Sequence, residues 1–369
     1  MRVLFVGLGN LGAQVLDLFV LRAKGEHQFL VGGRNLDALG ERCRWTASAA
    51  LQLGFSVQVD ATFMDVCNID QTAQTIAIFK PDVIFSSVTA LRSAVISQLP
   101  RPLFERLKEA RGGPWMPTSL VLVSKLMQAV KETGLKMIVL NTASPDNAHA
   151  VLEKVGLAPT SGIGNLAIAI APMKQAIATQ LHRPLEQVEV RFFAHNYAFQ
   201  RLRGGTIDGA PFHLTVFVNG EDVTTQLDLT ALLSTLPLTL EHEYTQLLTA
   251  ATAATIFDVL TTKTATIVHV PGPNGLPGAY PVHMGKQGLE VVLPQGLTLE
   301  DAIRINQEGQ RLDGIEKIDP DGTVSFVEEN MAILKQVLGY DCRHMPLSEV
   351  EYWAQELQAR YKALEDKYR

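Results

Sequence analysis

The stretch MRVLFVGLGNLGAQVLDLFV, residues 1–20, places three glycines between two apolar runs. Glycine loses more backbone entropy on folding than any other residue, so three of them at this spacing need a conformational or steric reason. Residues 2–6 form a short apolar run that is typical of a strand buried on both faces, and residues 11–24 carry apolar side chains at helical spacing. The stretch therefore predicts a strand, a glycine-rich turn and a helix.

Short apolar runs continue to alternate with helical patterns as far as residue 145. Strands are predicted at 2–6, 28–32, 56–60, 82–88 and 136–141, and helices at 11–24, 42–53, 70–79 and 118–134. Strands that alternate with helices pair in parallel through right-handed crossovers. The sequence thus predicts an α/β fold, with a Rossmann domain built on a doubly wound parallel sheet over residues 1–147.

The pattern changes after Pro145, and residues 148–369 are predicted to form an α+β domain for substrate binding and oligomerisation. Helices are expected at 165–181, 243–262, 299–311 and 346–367, a strand at 187–194, and further strands within 265–294. Two alternating runs around Asn219-Gly220 predict a hairpin, because this dipeptide favours a tight β-turn.

Composition excludes several classes of function. The 369 residues are 47% hydrophobic and 19% charged, as in a packed globular protein. The net charge of -6, without a block of Lys or Arg, argues against nucleic-acid binding. Cys43, Cys67 and Cys342 lie too far apart for a disulfide framework or a zinc site, so no metal is predicted. No stretch reaches the roughly 20 apolar residues of a membrane span, and we expect a cytoplasmic protein with no membrane partner.

The three glycines form G-x-G-x-x-G directly after the first strand, where a dinucleotide site requires it. Gly7 permits the tight turn, Gly9 lets the backbone approach a pyrophosphate, and Gly12 lets the helix pack closely on the strand. We predict a nicotinamide or flavin dinucleotide bound by this turn, including Asn10 and Leu11. The alternative is a glycine turn that holds no ligand.

The end of the second strand bears on the choice of cofactor. The sequence FLVGGRNLD, residues 29–37, has Gly33 where NAD enzymes place an acidic residue on the ribose 2′-hydroxyl. Arg34 follows, and a guanidinium suits a 2′-phosphate. With Asn35 assigned to the same site, NADP is predicted over NAD. Asp37 leaves NAD open, and Arg34 as a solvated surface residue is the alternative.

Polar residues also end two later strands, at the carboxyl edge where ligands bind in such sheets. Ser86, Ser87 and Val88 at the fourth strand and Asn141 at the fifth are assigned to the cofactor, and Ser144 to the substrate. The same residue types also form ordinary turns.

Three stretches of the second half resemble the lactate/malate dehydrogenase superfamily, which includes the NAD-dependent family 4 glycosidases. LNTASPDNAHAVLEKVGLAPTSGIGNLAIA (140–169) is similar to its strand, asparagine-proline turn and helix. VEVRFFAHNYAF (188–199) leads a strand into a histidine. YTQLLTAATAATIFDVL (244–260), followed by VPGPNGLPGAYPVHMG (270–285), is similar to the substrate-side helix and the strand pair after it.

The resemblance implies hydride transfer, with His195 as the histidine that shuttles the proton. The position of the aspartate that orients this histidine falls on Ala167, and that of the substrate-binding arginine falls on Ile170. A lone imidazole can still act as a general acid near neutral pH. Alternatively, His195 is a structural residue at a strand end.

The missing carboxylate-binding arginine has candidate replacements in Lys174, Arg201 and Arg203, which would need no function if they were solvated surface charges. Asn141 and Lys174 join His195 as predicted catalytic residues, and the substrate set is Ser144, Asn165, Arg201, Thr245 and Thr249. Residues 91–119 are long enough for a lid over the cofactor cleft. This stretch carries Arg92, Arg101, Arg106, Arg111 and Trp115. An amphipathic helix over 103–111 is the alternative.

The sequence favours an NADP-dependent oxidoreductase acting on a carbonyl, imine or alcohol of a small metabolite, as a homodimer or larger homo-oligomer. A redox hydrolase or lyase on a sugar, as in the family 4 glycosidases, is a second hypothesis. Those enzymes hold a metal with a cysteine and a histidine, and no cysteine lies between Cys67 and Cys342. A nucleotide-sensing regulator without catalysis is the third.

Overall fold

A computed structural model describes residues 1–22, 27–91, 98–236, 238, 242–262, 266–286 and 288–368, with the backbone alone at 242 and 243. Arg92 of the predicted lid lies outside these residues. Within the described ranges, no helix combines the length and the hydropathy needed to cross a bilayer.

The N-terminal sheet has six strands in the order β3-β2-β1-β4-β5-β6, all paired in parallel. The strands are β1 (Arg2–Val6), β2 (Gln28–Gly33), β3 (Gln58–Phe63), β4 (Val83–Ser86), β5 (Ile138–Asn141) and β6 (Ser161–Gly162). Strands extend outward in both directions from β1, which is the doubly wound topology with its switch between β1 and β4. The predicted α/β fold is confirmed.

Helices connect these strands and cover both faces of the sheet. They are α1 (Asn10–Arg22), α2 (Leu36–Gln52), α3 (Ile69–Phe79), α4 (Arg101–Glu109), α5 (Pro117–Thr133) and α6 (Pro145–Glu153). One face packs Phe5 and Phe85 against Phe19 of α1, with ring centroids 5.3–6.3 Å apart. Strands β1, β4 and β5 are buried on both faces, which explains their continuous apolar runs.

The predicted start of the second helix is wrong. Helix α2 begins at Leu36 instead of residue 42, because the Asn35 side chain accepts a hydrogen bond from the Ala38 amide at 3.2 Å and caps the helix there. In the stretch 91–119, α4 agrees with the alternative of an amphipathic helix over 103–111, and the role of the stretch as a lid stays a prediction.

The second sheet is antiparallel, in the order β10-β11-β7-β8-β9, with β12 paired to β11. Its strands are β7 (Val188–Ala194), β8 (Phe212–Val218), β9 (Glu221–Asp222), β10 (Ile267–Pro271), β11 (Ala279–Gly285) and β12 (Gly288–Val291). The accompanying helices are α7 (Ala167–Gln180), α8 (Asn196–Arg203), α9 (Leu229–Ser234) and α10 (His242–Thr261). Asn219 and Gly220 both have positive φ (51° and 82°), so the predicted hairpin turn is confirmed.

The C-terminal region contains the two helices predicted at 299–311 and 346–367, together with a small sheet and a helix that the sequence did not predict. Helix α11 (Leu299–Leu312) leads into a small antiparallel sheet of β13 (Ile315–Ile318), β14 (Val324–Phe326) and β15 (His344–Met345). Helix α12 (Glu328–Leu338) lies between β14 and β15, and α13 (Val350–Glu365) ends the described chain.

Both α12 and α13 contribute to the hydrophobic core under one face of the N-terminal sheet. Met331 of α12 and Leu357 of α13 are fully buried in the same cluster as Leu120 and Leu126 of α5. Strand β6 likewise lies beyond residue 147 but belongs to the first sheet. The division of the chain at 147/148 stays a prediction.

Candidate functional site

The glycine turn after β1 has two glycines that the backbone requires and one that faces open space. Gly7 has a φ of +81°, and a Cβ there would lie 2.7 Å from Val88 Cγ1. A Cβ on Gly12 would lie 2.7 Å from Ser87 Oγ and 2.9 Å from the Gly7 oxygen. A Cβ on Gly9 would meet nothing within 4 Å. Gly9 therefore borders room for a ligand, whereas Gly7 and Gly12 shape the turn.

Helix α1 presents its amino terminus to this space. Gly9 and Asn10 are exposed, and the first turn of α1 carries no acidic side chain. The first amide groups of a helix have no acceptor within the helix and bear partial positive charge. Exposed amides next to a glycine that leaves open space fit a pyrophosphate.

At the end of β2, the Arg34 side chain is available to bind a ligand, whereas the Asn35 side chain is already hydrogen-bonded. Arg34 is exposed, and its guanidinium makes no ion pair with the residues that the structure describes. The Asn35 Oδ1 is used by the cap of α2. Asp37 is also exposed, in the first turn of that helix. Arg34 and Asp37 thus remain as the two groups that could contact a ribose or its phosphate.

The predicted cofactor serines lie at the carboxyl end of β4. Ser87 donates from Oγ to the Gly7 oxygen at 3.1 Å and ties this strand end to the glycine turn. Ser86 is fully buried, and its hydroxyl finds no hydrogen-bond partner among the described residues. Val88 packs against Gly7 through the close approach noted above.

Asn141 is committed to the turn that follows β5. Its Nδ2 donates to the Ala143 oxygen and to His149 Nε2, both at 3.0 Å, and its Oδ1 accepts from the Ala143 amide at 3.1 Å. His149 in turn donates from Nδ1 to the Gly272 oxygen at 2.8 Å. The side chain is fully buried, so this geometry favours a structural role over the catalytic role predicted for Asn141.

A cavity of about 650 Å³ opens between the segments that follow β4 and β5 and helix α8. Leu91 follows β4, Ser144 follows β5, and Ser144 Oγ donates to Ser119 Oγ at 3.2 Å across the floor. Because β4 and β5 are neighbours and β4 pairs with β1, the cavity and the glycine turn share the carboxyl edge of one sheet. Ligands bind at this edge in doubly wound sheets.

The cavity wall combines cationic and aromatic side chains. The cationic residues are Lys108, Arg111, Arg201 and Arg203, and the aromatic residues are Phe104, Trp115 and Tyr197. Lys108 Nζ is paired with Glu105 at 3.2 Å, and Arg111 Cζ lies 5.3 Å from the centroid of the Tyr197 ring. Arg201 donates from Nη2 to the Asp208 oxygen at 3.1 Å. In the described chain, neither Arg111 nor Arg201 pairs with a carboxylate, so the cavity carries excess positive charge.

His195 lies at the junction of β7 and α8, where its ring is enclosed. Nδ1 accepts from the Tyr197 amide at 3.2 Å, so the hydrogen is on Nε2, which donates to Asn147 Oδ1 at 2.9 Å. A Cβ on Gly309 of α11 would lie 2.4 Å from the His195 Cβ. Burial lowers the pKa of His195 to about 3. The enclosed ring fits the alternative of a structural residue at a strand end, and the catalytic role of His195 stays a prediction.

Asp313, at the carboxyl end of α11, joins this network and lines the cavity. Its Oδ2 accepts from Asn147 Nδ2 at 3.0 Å, and its Oδ1 accepts from the Gly112 amide at 3.1 Å. Burial raises the pKa of Asp313 to about 6, while these two hydrogen bonds and the charge of Arg111 oppose the rise.

Sequence reasoning missed Asp313, although the pair Gly112-Gly113 offered a signal. A Cβ on Gly112 would lie 2.8 Å from the Asp313 Oδ2, and one on Gly113 would lie 2.8 Å from the Asp313 backbone oxygen. Two consecutive glycines are required because Gly112 lies against the Asp313 carboxylate and Gly113 against the Asp313 backbone.

A second buried carboxylate, Asp146, holds the predicted substrate residue Asn165. Asn165 donates from Nδ2 to Asp146 Oδ2, and the Asn196 amide donates to Oδ1 at 3.0 Å. Burial raises the pKa of Asp146 to about 7, an effect that Asn165 opposes and the charge of Asp313 increases. Asp146 and Asn165 are absent from the described cavity wall, so a substrate contact by Asn165 stays a prediction.

The remaining predicted residues divide between the cavity and the second domain. Lys174 lies near His269, whose pKa is lowered to about 3 by burial and by the lysine charge. Thr249 donates from Oγ1 to the Thr245 oxygen at 2.8 Å within α10. The predicted substrate residues on the described cavity wall are Ser144 and Arg201. Lys174, Thr245 and Thr249 are outside that wall.

Comparison with known proteins gives a match in structure only. No protein-family model and no curated protein matches the sequence. The malate dehydrogenase from Aeropyrum pernix superposes with a TM-score of 0.57 at 14% identity, over 84% of this chain and 97% of that one. The chain has the fold of the malate and lactate dehydrogenases.

Two further structures show the same dehydrogenase fold. The malate dehydrogenase from Salinibacter ruber covers 91% of this chain and 98% of its own, with a TM-score of 0.53 and 14% identity. The lactate dehydrogenase from Eimeria maxima, solved with NADH and oxamate, covers 84% of this chain and 90% of its own, with a TM-score of 0.54 and 12% identity. The resemblance predicted from the sequence is confirmed at the level of the fold.

Within this dehydrogenase fold, the positions expected for the aspartate and arginine carry aliphatic side chains. Ala167 begins α7 and Ile170 lies one turn further along the same helix. The carboxylate that connects with His195 is instead Asp313, from a distant helix, and Asn147 lies between them. The chain thus combines a dehydrogenase fold with its own arrangement of polar side chains.

Proposed function

We propose that the protein is an NADP-dependent oxidoreductase that transfers a hydride between the nicotinamide and a carbonyl, imine or alcohol carbon of a small anionic metabolite. The observation that carries the proposal is the cationic cavity at the same sheet edge as the open glycine turn. The dehydrogenase fold supports it.

The topology favours a dinucleotide that reaches from the glycine turn to the cavity. Strands β1, β4 and β5 are consecutive in the sheet, so their carboxyl ends span about 10 Å at the usual strand spacing. A pyrophosphate on the amino terminus of α1, next to Gly9, would leave the nicotinamide end above β4 and β5. The bound cofactor would supply the hydride donor or acceptor there.

Arg34 supports NADP over NAD. Its exposed guanidinium follows a strand end that lacks a carboxylate, and Arg binds phosphate with fork geometry. The Eimeria maxima enzyme of the same fold was solved with NADH, and Asp37 offers a contact for the ribose hydroxyls of NAD. Both cofactors therefore belong in the first binding experiment.

The cavity supports an anionic substrate with an apolar body. Arg111 and Arg201 present guanidinium groups that no described carboxylate pairs, and arginine binds a carboxylate or phosphate bidentately. Phe104 and Trp115 provide apolar surface for the rest of the molecule. These groups replace the carboxylate-binding arginine that the resemblance predicted at residue 170.

Two other hypotheses have less support. A metal-dependent sugar hydrolase needs a ligand set, and no group of three or more His, Cys, Asp or Glu side chains in the described ranges is arranged to hold a metal ion. A regulator without catalysis would not require a buried carboxylate in the same cavity as arginines that make no ion pair among the described residues.

The test is a fluorescence titration of the protein with NADPH and NADH, followed by a screen of 2-oxo acids, ketones and imines at saturating cofactor. We expect saturable binding, tighter for NADPH, and oxidation of the cofactor by an anionic carbonyl compound. Absence of binding would overturn the proposal, and binding without turnover of any class would favour the regulator.

A further inference from the structure

The acid or base that exchanges a proton with the substrate has to reach the cavity. His195 is enclosed, with both ring nitrogens hydrogen-bonded inside the protein. Asp313 carries the one acidic side chain among the described residues of the cavity wall. We propose that Asp313 is the catalytic acid and base of this site, and that Asn147 and His195 are positioning residues that orient its carboxyl group. The inference rests on the proposed function.

The hydrogen bonds behind Asp313 run in a single direction. The Tyr197 amide can only donate, so His195 accepts at Nδ1 and carries its hydrogen on Nε2. Nε2 donates to Asn147 Oδ1, which turns the Asn147 amide so that Nδ2 donates to Asp313 Oδ2. A backbone amide thus fixes the polarity of every bond as far as the carboxylate.

Two further hydrogen bonds fix the position of the Asp313 carboxylate. The Gly112 amide donates to Oδ1, and Gln310 donates to Asn147 Oδ1 at 3.3 Å, which keeps the amide from turning over. Each oxygen of Asp313 accepts one of these bonds and keeps a second lone pair that can bind a proton. The carboxyl group is therefore immobile at the cavity wall and still able to exchange a proton.

The reaction balances with this single group. In the reducing direction, hydride adds to the carbonyl carbon, the C–O π bond breaks, and its electron pair takes the proton from the protonated Asp313. The products are the alcohol, the oxidised nucleotide and the Asp313 carboxylate, which regains a proton from water. In the oxidising direction, the carboxylate removes the hydroxyl proton as hydride leaves the carbon.

The surrounding charges act on this proton from several elements. Arg111, from the segment after α4, lowers the pKa of Asp313, and Asp146 of α6 is a second buried carboxylate whose pKa Asp313 raises. Lys108, Arg201 and Arg203 face the same cavity. Because burial holds the pKa of Asp313 at about 6, the reduction rate should fall as pH rises through 6, and the oxidation rate should rise.

The test compares Asp313→Asn with Asp319→Asn, an aspartate after β13 that pairs with Lys317 at 2.5 Å and is outside the described cavity wall. Reduction of phenylpyruvate and 2-oxoglutarate is measured at saturating NADPH, and NADPH affinity is measured by fluorescence. We expect Asp313→Asn to lose roughly 10²–10⁴-fold in kcat with unchanged NADPH affinity, and Asp319→Asn to retain its kcat. Undiminished turnover in Asp313→Asn, while the wild type is active, overturns the inference and leaves the proposed function standing.

Two further measurements keep the test decisive if the polarity of the network makes Asp313→Asn fold poorly. The wild-type pH profile of kcat for reduction should show one descending limb near pH 6, and a flat profile overturns the inference. In His195→Gln, which can accept from Tyr197 and donate to Asn147, we expect more turnover than in His195→Ala at equal NADPH affinity. If neither probe is reduced, the same comparison is made on whichever compound of the 2-oxo acid, ketone and imine screen is reduced. If wild-type protein binds no cofactor or reduces no compound of that screen, the proposed function fails and the assignment of Asp313 fails with it.

Discussion

Asn147 donates from Nδ2 to Oδ2 of Asp313 over 3.0 Å, across a sequence separation of 166 residues. The same carboxylate accepts from the Gly112 amide, 201 residues away along the chain. Three segments that are distant in the sequence therefore meet at one buried carboxylate. Because an unpaired charge is costly to bury, each of these contacts is needed to keep the carboxylate at the cavity wall.

Gly9→Val should abolish binding of both NADPH and NADH. The valine side chain would enter the open space next to the amino terminus of α1, where we place the pyrophosphate. Fluorescence titration measures the loss, and circular dichroism checks the fold. The matched control is Gly40→Val, because a Cβ on Gly40 also meets nothing within 4 Å. Retained binding in Gly9→Val would place the cofactor elsewhere.

Arg34→Ala should weaken NADPH far more than NADH. A hydrogen bond to a charged group contributes about 1.5–3 kcal/mol, so the NADPH Kd should rise roughly tenfold or more. Arg44, an exposed arginine of α2, provides the control variant Arg44→Ala, for which both affinities should stay as in the wild type. Equal effects of Arg34→Ala on the two cofactors would contradict the assignment of the 2′-phosphate.

Arg201→Ala should raise KM for an anionic carbonyl substrate without changing NADPH affinity. The guanidinium lines the cavity and pairs with no described carboxylate, so its removal takes away about 1.5–3 kcal/mol of anion binding. Arg106→Ala is the control, since Arg106 is paired with Glu109 and bonded to Gln336 at 3.0 Å. Steady-state kinetics on a neutral and an anionic carbonyl would separate the effects, and an unchanged KM for the anion would contradict the prediction.

His269→Gln should make the protein less sensitive to acid. The buried imidazole accepts from the Phe192 amide and stays neutral, because burial lowers its pKa to about 3. Below pH 6.5 the histidine binds a proton in the unfolded state but not in the native state, so the free energy of unfolding decreases as the pH is lowered. Relative to the wild type, the variant should gain about 2 kcal/mol between pH 8 and pH 5 in urea unfolding. At pH 8 the histidine is neutral in both the native and the unfolded state, so the stability difference measured there is the reference.

The protein should associate as a homodimer or larger assembly. The α+β region carries an exposed apolar pair on α10, Tyr244 and Leu247, and such residues often mark an interface. Sedimentation velocity at micromolar concentration measures the mass directly. A single boundary at the 40.3 kDa of one chain would contradict the prediction.

The sequence was sufficient for the sheet and for the glycine turn because both depend on local patterns. Continuous apolar runs such as residues 2–6 match strands buried on both faces, and G-x-G-x-x-G has a fixed relation to the strand before it. The N-cap of α2 could also have been predicted from a local pattern, since Asn35 precedes Ala38 at the usual spacing of an N-cap.

The polar site was beyond local patterns. Asp313 follows an ordinary amphipathic helix, and nothing in its own neighbourhood shows that the chain brings it against Asn147 and Gly112. His195 had a resemblance to support it, but its burial under Gly309 depends on the packing of α11. The small sheet β13–β15 was missed because its strands are two to four residues long, too short for an alternating pattern.

The position of Asp313 near the end of the chain has a consequence for biosynthesis. A ribosome releases the amino terminus first, so the glycine turn and strands β1–β5 emerge long before α11. The glycine turn is thus synthesised while the carboxylate and the helices that pack on α5 are still untranslated. Because α12 and α13 contribute to the core under one face of the first sheet, a chain that stops before α11 would lack both that packing and the Asp313 carboxylate.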